Sequence, residues 1–154
     1  MKKSTILAMS LALATGTVAI AGGHGGNPAV KARNAHMGLY GYNLGILGDM
    51  AKGTTEYNAD AAKTAATNLA TLAAMDQSSY WPEGTAQGEV DGSRAKAEIW
   101  TDGGGIMKHV VELQTASAAL ADVAGNGLEA LQGGIGGAGK VCGDCHKAYR
   151  GPRN

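Results

Sequence analysis

The sequence contains no phenylalanine and only seven aromatic residues, two Trp and five Tyr, in 154. A chain this poor in large side chains has little with which to fill an interior. Chains of this size already bury only about two-thirds of their unfolded surface. Cysteine is scarce too: there are two, Cys142 and Cys145, so no multi-disulfide framework can be built. There is no strand-like alternation and no internal repeat, which argues against sheet and solenoid architectures. No excess of basic charge exists, since 13 Lys and Arg balance 13 Asp and Glu, and a nucleic-acid partner is therefore not expected. Glycine, by contrast, occurs 25 times. A helical protein short of core material would gain from a large apolar group at its centre.

The chain opens Met1-Lys2-Lys3 and then runs apolar from Ile6 to Ala21, ending in the A-x-A pattern Ala19-Ile20-Ala21. A basic start, a short apolar run and small residues at its end describe a secretory signal. The run is rich in Ala, Ser, Thr and Gly, and barely reaches the ~20 apolar residues a membrane anchor takes. The expectation is a signal peptide over 1–21, cleavage after Ala21, and one domain over 22–154 in the periplasm, with no membrane insertion once the signal is gone. Loss of Lys2 and Lys3 leaves 11 basic and 13 acidic side chains, a net charge of −2. The new terminus would read Gly22-Gly23-His24, whose amine, two amides and imidazole could form a square-planar site for Cu(II) or Ni(II).

Four helical segments are expected. The first has Asn27 as N-cap and Pro28 in its first turn, and stops near Met50 before Gly53. Its inner seam reads Met37, Tyr40, Leu44, Leu47 and Ala51 at 3, 4, 3, 4 spacing. The second starts after Asn58 and ends near Met75, with Asp60 favoured in its first turn. A loop over 76–92 follows, with Trp81-Pro82-Glu83-Gly84 as a turn signal. The third helix spans about 94–123 and is weakened by Gly103-Gly104-Gly105, each costing about 1 kcal/mol against Ala. The fourth begins with Asn126 as N-cap and Glu129 as its capping-box partner. Five glycines between Gly133 and Gly139 threaten to break it. The fold class is all-α, an antiparallel up-and-down four-helix bundle.

On the fourth segment the apolar seam passes through both cysteines. At 100° per residue, Cys145 lies 60° to one side of Cys142 and His146 lies 40° to the other. Three nucleophilic or ligating side chains thus share one sector of the interior. A disulfide leaves His146 unexplained. A thioredoxin-like dithiol needs a βαβ setting, and a zinc site needs two further ligands that no second C-x-x-C or H-x-x-x-H supplies. The remaining reading of C-x-x-C-H is attachment of one haem c. Two thiols add to two vinyl groups on one porphyrin edge, and the next histidine reaches the iron.

The ending "CGDCHKAYR" resembles the C-x-x-C-H-x-x-Y-R ending of the class II cytochromes c, comprising cytochrome c′ and its low-spin relatives. "ARNAHM" is similar to their first helix, "YWPEGT" to their second loop and "EIWTD" to the start of their third helix. The Gly103–Gly105 run departs from the good helix formers usual there. The resemblance implies thioether anchors at Cys142 and Cys145, a proximal iron ligand at His146, and Arg33 near the haem propionates. Composition alone would equally make Arg33 a solvated helix residue, and Arg150 likewise. Four residues past Arg33, Met37 falls where the family presents a side chain to the open face of the iron. Low-spin members bind iron there through Met, so the main expectation is a periplasmic electron carrier with His146 and Met37 as axial ligands, serving periplasmic redox partner proteins. The alternative is a cytochrome c′ with five-coordinate, high-spin haem that binds NO or CO. No acid–base pair is recognisable on the first helix, and an enzyme is not expected. His36 is placed on the surface, and His109 beside the inner seam. Gly38, Gly41, Gly45 and Gly48 form a stripe that suits either close packing inside the bundle, the slightly favoured reading, or the family's homodimer contact through the first helix.

Overall fold

A computed structural model describes residues 26–153, so the signal-peptide expectation and His24 lie outside the described residues. Four helices form the chain's frame: α1 (Pro28–Ala51), α2 (Ala59–Ala74), α3 (Gly105–Val123) and α4 (Leu128–Tyr149). They make an antiparallel up-and-down bundle. Between α2 and α3 the chain takes two 3-10 turns, Ser78–Tyr80 and Ala97–Trp100. The β structure among the described residues is one antiparallel bridge, between Ala95 and Arg150. No helix among them is long and apolar enough to cross a membrane.

The first two helices start where the sequence says. Asn27 Oδ1 accepts hydrogen bonds from the Ala29 and Val30 amides at 2.9 and 3.3 Å, with Pro28 opening α1. Asn58 Oδ1 accepts from the Ala61 amide at 2.9 Å. The third helix is indeed interrupted. Gly103 and Gly104 take φ of +67° and +103°, which side chains avoid, and α3 proper begins only at Gly105.

The fourth helix corrects two expectations. Its N-cap position is held by Gly127, with φ of +117°, and Asn126 instead donates from Nδ2 to the Asp122 carbonyl. Tyr57 enforces this: its hydroxyl donates to the Ala124 carbonyl and accepts from the Gly127 amide, both at 2.9 Å. The glycines do not break α4. A Cβ on Gly134 would stand 2.9 Å from Val123 Cγ2, so α3 and α4 pack through a gap that only glycine leaves. Tertiary packing outweighs the poor propensity.

Tyr57 also ties the α1–α2 turn to the α3–α4 turn, so both lie at one end of the bundle. That end is closely packed. Leu47, Leu120 and Leu131 are fully buried there and Leu69 at mid-bundle, with alanines such as Ala62 and Ala124 letting the backbones approach. Of the buried residues of α3 and α4, Ser117, Leu120 and Leu131 lie toward it and Ala138 sits at the middle of α4.

Candidate haem site

The other end of the bundle carries the C-x-x-C-H motif, and its packing differs. On α3, Ile106, His109, Val110 and Leu113 are only half-buried, and Met107 and Val111 are exposed. On α4, Val141, Cys142, Cys145, His146 and Tyr149 are half-buried. The two helices thus present apolar side chains toward one another without closing on them. Such a lining suits a flat apolar ring, because buried apolar area is what a porphyrin supplies.

The donor set agrees with that fit. Both cysteines are free thiols on one face of α4. Burial pushes the Cys142 thiol above its ordinary value. Burial raises Cys145 too, with Cys142 adding to it. They are therefore neutral thiols near pH 7, unlike the acidic cysteine of a redox dithiol. His146 is pushed below its usual range, first by burial and then by the positive charges of Arg150 and Arg94. The neutral imidazole is the form that binds iron.

Opposite α4, helix α1 departs from the predicted seam. Tyr40 and Leu47 are buried as expected, Leu44 and Ala51 are half-buried, and Met37 is 36% exposed. Buried in addition are Arg33, His36 and Asn43. Each polar group has a partner remote in sequence, which is why burial is tolerated. His36, expected on the surface, sits 3.1 Å through Nε2 from the Leu72 carbonyl, edge-on to Tyr40 at 4.7 Å between ring centroids. Asn43 Oδ1 accepts from Asn68 at 3.3 Å. Tyr40, three residues from Met37 and 60° round the helix, has its phenol raised by burial, and also by the neighbouring Cys142. Met37 therefore borders the half of the bundle that carries the motif.

Arg33 does not point to solvent. Its Nη1 donates to Thr85 Oγ1 at 2.9 Å and to the Tyr80 carbonyl at 3.4 Å. Its Nη2 donates to the Thr85 carbonyl and Ser93 Oγ, both at 2.6 Å. The guanidinium lies 5.1 Å from the Trp81 ring centroid. Burial pushes its pKa down.

The loop that Arg33 holds is in turn sewn to the end of α4. The Lys96 amide donates to the Tyr149 carbonyl at 2.9 Å, and the Gly151 amide to the Arg94 carbonyl at 2.8 Å. Arg94 Nη2 donates to the Gly151 carbonyl at 2.7 Å, and Lys96 Nζ to the Ala148 carbonyl at 3.1 Å. Sequence reasoning missed Arg94, Lys96, Thr85 and Ser93. Nothing local marks them, since their partners lie some 50 to 60 residues away along the chain. It also missed Asp102, whose position before three glycines is an Asx-turn signal. Asp102 Oδ1 accepts from the Gly104 and Gly105 amides at 3.1 and 3.0 Å, and Oδ2 accepts from the Tyr149 hydroxyl. That bond, foremost, drives the Tyr149 phenol up to about 12. His109 packs edge-on to the Tyr149 ring at 5.9 Å, with Nδ1 3.2 Å from Glu112 Oε2.

Comparison with known proteins agrees with this construction. The family described as cytochrome c′ matches residues 28–150. A cytochrome c-554 from Cereibacter sphaeroides is 37% identical over 121 residues, covering 79% of this chain and 91% of that protein. The solved cytochrome c′ from Rhodobacter Spheriodes superposes with a TM-score of 0.79 at 38% identity, covering 81% of this chain and 96% of that one. A ferrous variant of cytochrome c′ from Alcaligenes xylosoxidans, solved with bound NO, gives a TM-score of 0.70 at 27% identity over 81% of this chain and 94% of its own. A four-helix bundle that brings two thiols and an imidazole to one half-open apolar end, and that matches these proteins over nearly all its described length, belongs to the cytochrome c′ family and carries one covalent haem c.

Proposed function

We propose that the chain is a cytochrome c′ proper: a five-coordinate, high-spin haem protein that binds NO or CO at its open iron face. Cys142 and Cys145 form the thioethers and His146 is the proximal ligand. The haem supplies the iron for gas binding, and the chain's own residues orient it and keep water away. The observation that carries this reading is the likeness to cytochrome c′, by family over residues 28–150 and by superposition on a solved cytochrome c′ at a TM-score of 0.79. Of the other described histidines, His36 has Nε2 at the Leu72 carbonyl, and His109 packs edge-on to the Tyr149 ring with Nδ1 near Glu112 but without a hydrogen bond. The likeness to cytochrome c′ structures supports it over the electron carrier that Met37 suggested. Arg33 acts through the loop, to which its terminal donors go. The protein acts as a binding protein, not an enzyme.

One observation favours a second reading. Met37 borders the motif-bearing half of the bundle and is not packed into the core, so a gap-filling role does not account for it. Ligation by its soft thioether would make the haem low-spin and raise its potential. Met37→Leu separates the two. The expected result is an unchanged spin state and unchanged CO binding. Conversion from a low-spin to a gas-binding form would establish Met37 ligation and electron transfer instead.

Export through residues 1–21 and a periplasmic site for the 22–154 domain belong to the same proposal, supported by the signal pattern and the family. A homodimer through α1 is part of the same proposal. Gly38, Gly41, Gly45 and Gly48 are not close-packed in the bundle: a Cβ on any of them would meet nothing within 4 Å. Leu39 and Tyr42 stand exposed beside them. An apolar helix face of this kind suits a second copy of itself.

A further inference from the structure

We propose that Asp102 and Tyr149 form a positioning clamp between the start of α3 and the last turn of α4, which sets how His146 meets the iron. The proposal rests on the reading of His146 as the axial ligand.

Tyr149 lies three residues after His146, in the same helical turn. The loop straps described above hold only the backbone of that turn, through the carbonyls of Ala148 and Tyr149. The clamp holds one of its side chains, and from a different element. One carboxylate does two things: Oδ1 caps α3 through the Gly104 and Gly105 amides, and Oδ2 takes the Tyr149 hydroxyl. Through this one group, the start of α3 and the end of α4 move together. Edge-on packing of His109, one turn into α3, against the Tyr149 ring adds a second contact between the same two turns.

The clamp also explains the glycine run that departs from the family. A Cβ on Gly105 would collide with both Asp102 Oδ2 and the Tyr149 hydroxyl. Gly103 and Gly104 supply the positive φ that turns the backbone amides toward Oδ1. Three good helix formers here would lengthen α3 and eliminate the clamp.

The test uses ferric holoprotein labelled with 15N-histidine. An axial histidine is singled out by large paramagnetic shifts, in a high-spin or a low-spin haem alike. Tyr149→Phe, Asp102→Ala and Gly105→Ala are each expected to move the His146 signals. The double variant Asp102→Ala/Tyr149→Phe should move them no further than the larger single change, because both singles break the same bond. Asp102→Asn can still accept from the two amides and donate to the Tyr149 oxygen, and should stay close to wild type. Variants that melt earlier while the His146 shifts hold still would overturn the clamp and leave Asp102 a helix cap. Absence of any paramagnetically shifted histidine in the wild type would instead overturn the axial assignment, and the proposal with it.

Discussion

Replacing Cys142 and Cys145 together by alanine is expected to give a chain without covalent haem that no longer melts as one cooperative unit. The cause is the uneven core. Leu47, Leu120 and Leu131 are fully buried toward one end, while Ile106, Val110, Val141 and their neighbours at the motif end are half-buried. A porphyrin there buries as much apolar area as several side chains, each worth about 1.5–3 kcal/mol. That total is on the order of 5–10 kcal/mol, similar to the roughly 5–15 kcal/mol that holds a whole domain. Circular dichroism should show loss of helix and a broad, early transition. Hydrogen exchange should keep protection around Leu120 and Leu131 and lose it in the first half of α3 and the second half of α4. Either single cysteine variant should retain haem through one thioether, in reduced amount. A fully helical, sharply melting double variant would mean that the protein core suffices without the ring.

Arg33→Ala should cost about 2–4 kcal/mol of stability, since each buried acceptor left unsatisfied costs about 1–3 kcal/mol and the costs do not add fully. Four donor contacts vanish at once, to Thr85 Oγ1, the Thr85 carbonyl, Ser93 Oγ and the Tyr80 carbonyl. Thr85 and Ser93 are themselves buried, so water does not readily replace them. Arg33→Lys keeps the charge but not the planar fork, and should recover less than half of the loss. Urea unfolding measures both, with exchange protection in residues 76–104 reporting the loop. A change within about 0.5 kcal/mol, the usual effect of altering a surface residue, would make Arg33 an ordinary helix position.

These two sites also mark what the sequence makes legible. The helix starts at Asn27 and Asn58 and the break at Gly103–Gly104 are local chemistry, and each could be read from neighbouring residues. So could the C-x-x-C-H sector, because its three side chains lie within one turn and a half. The burial of His36 and Arg33 could not, since their partners are the Leu72 carbonyl and a loop some 50 residues on. Periodicity favours apolar residues for an inner seam, and α1 instead buries polar ones that tertiary partners satisfy. Asn126 failed as a cap for the same reason: Tyr57, distant in sequence, fixes Gly127 in that place. The glycine stripe on α1 gave no sign of whether it faced inward, because glycine carries no side chain to classify.

The central claim is an iron with one protein ligand and one open face. The optical spectrum of the reduced protein, taken before and after carbon monoxide, tests it most directly. The account predicts a broad, high-spin spectrum that CO converts at once to a sharp, six-coordinate form. A reduced protein that is already low-spin, shows a sharp α band and ignores CO until Met37 is replaced by alanine would contradict it.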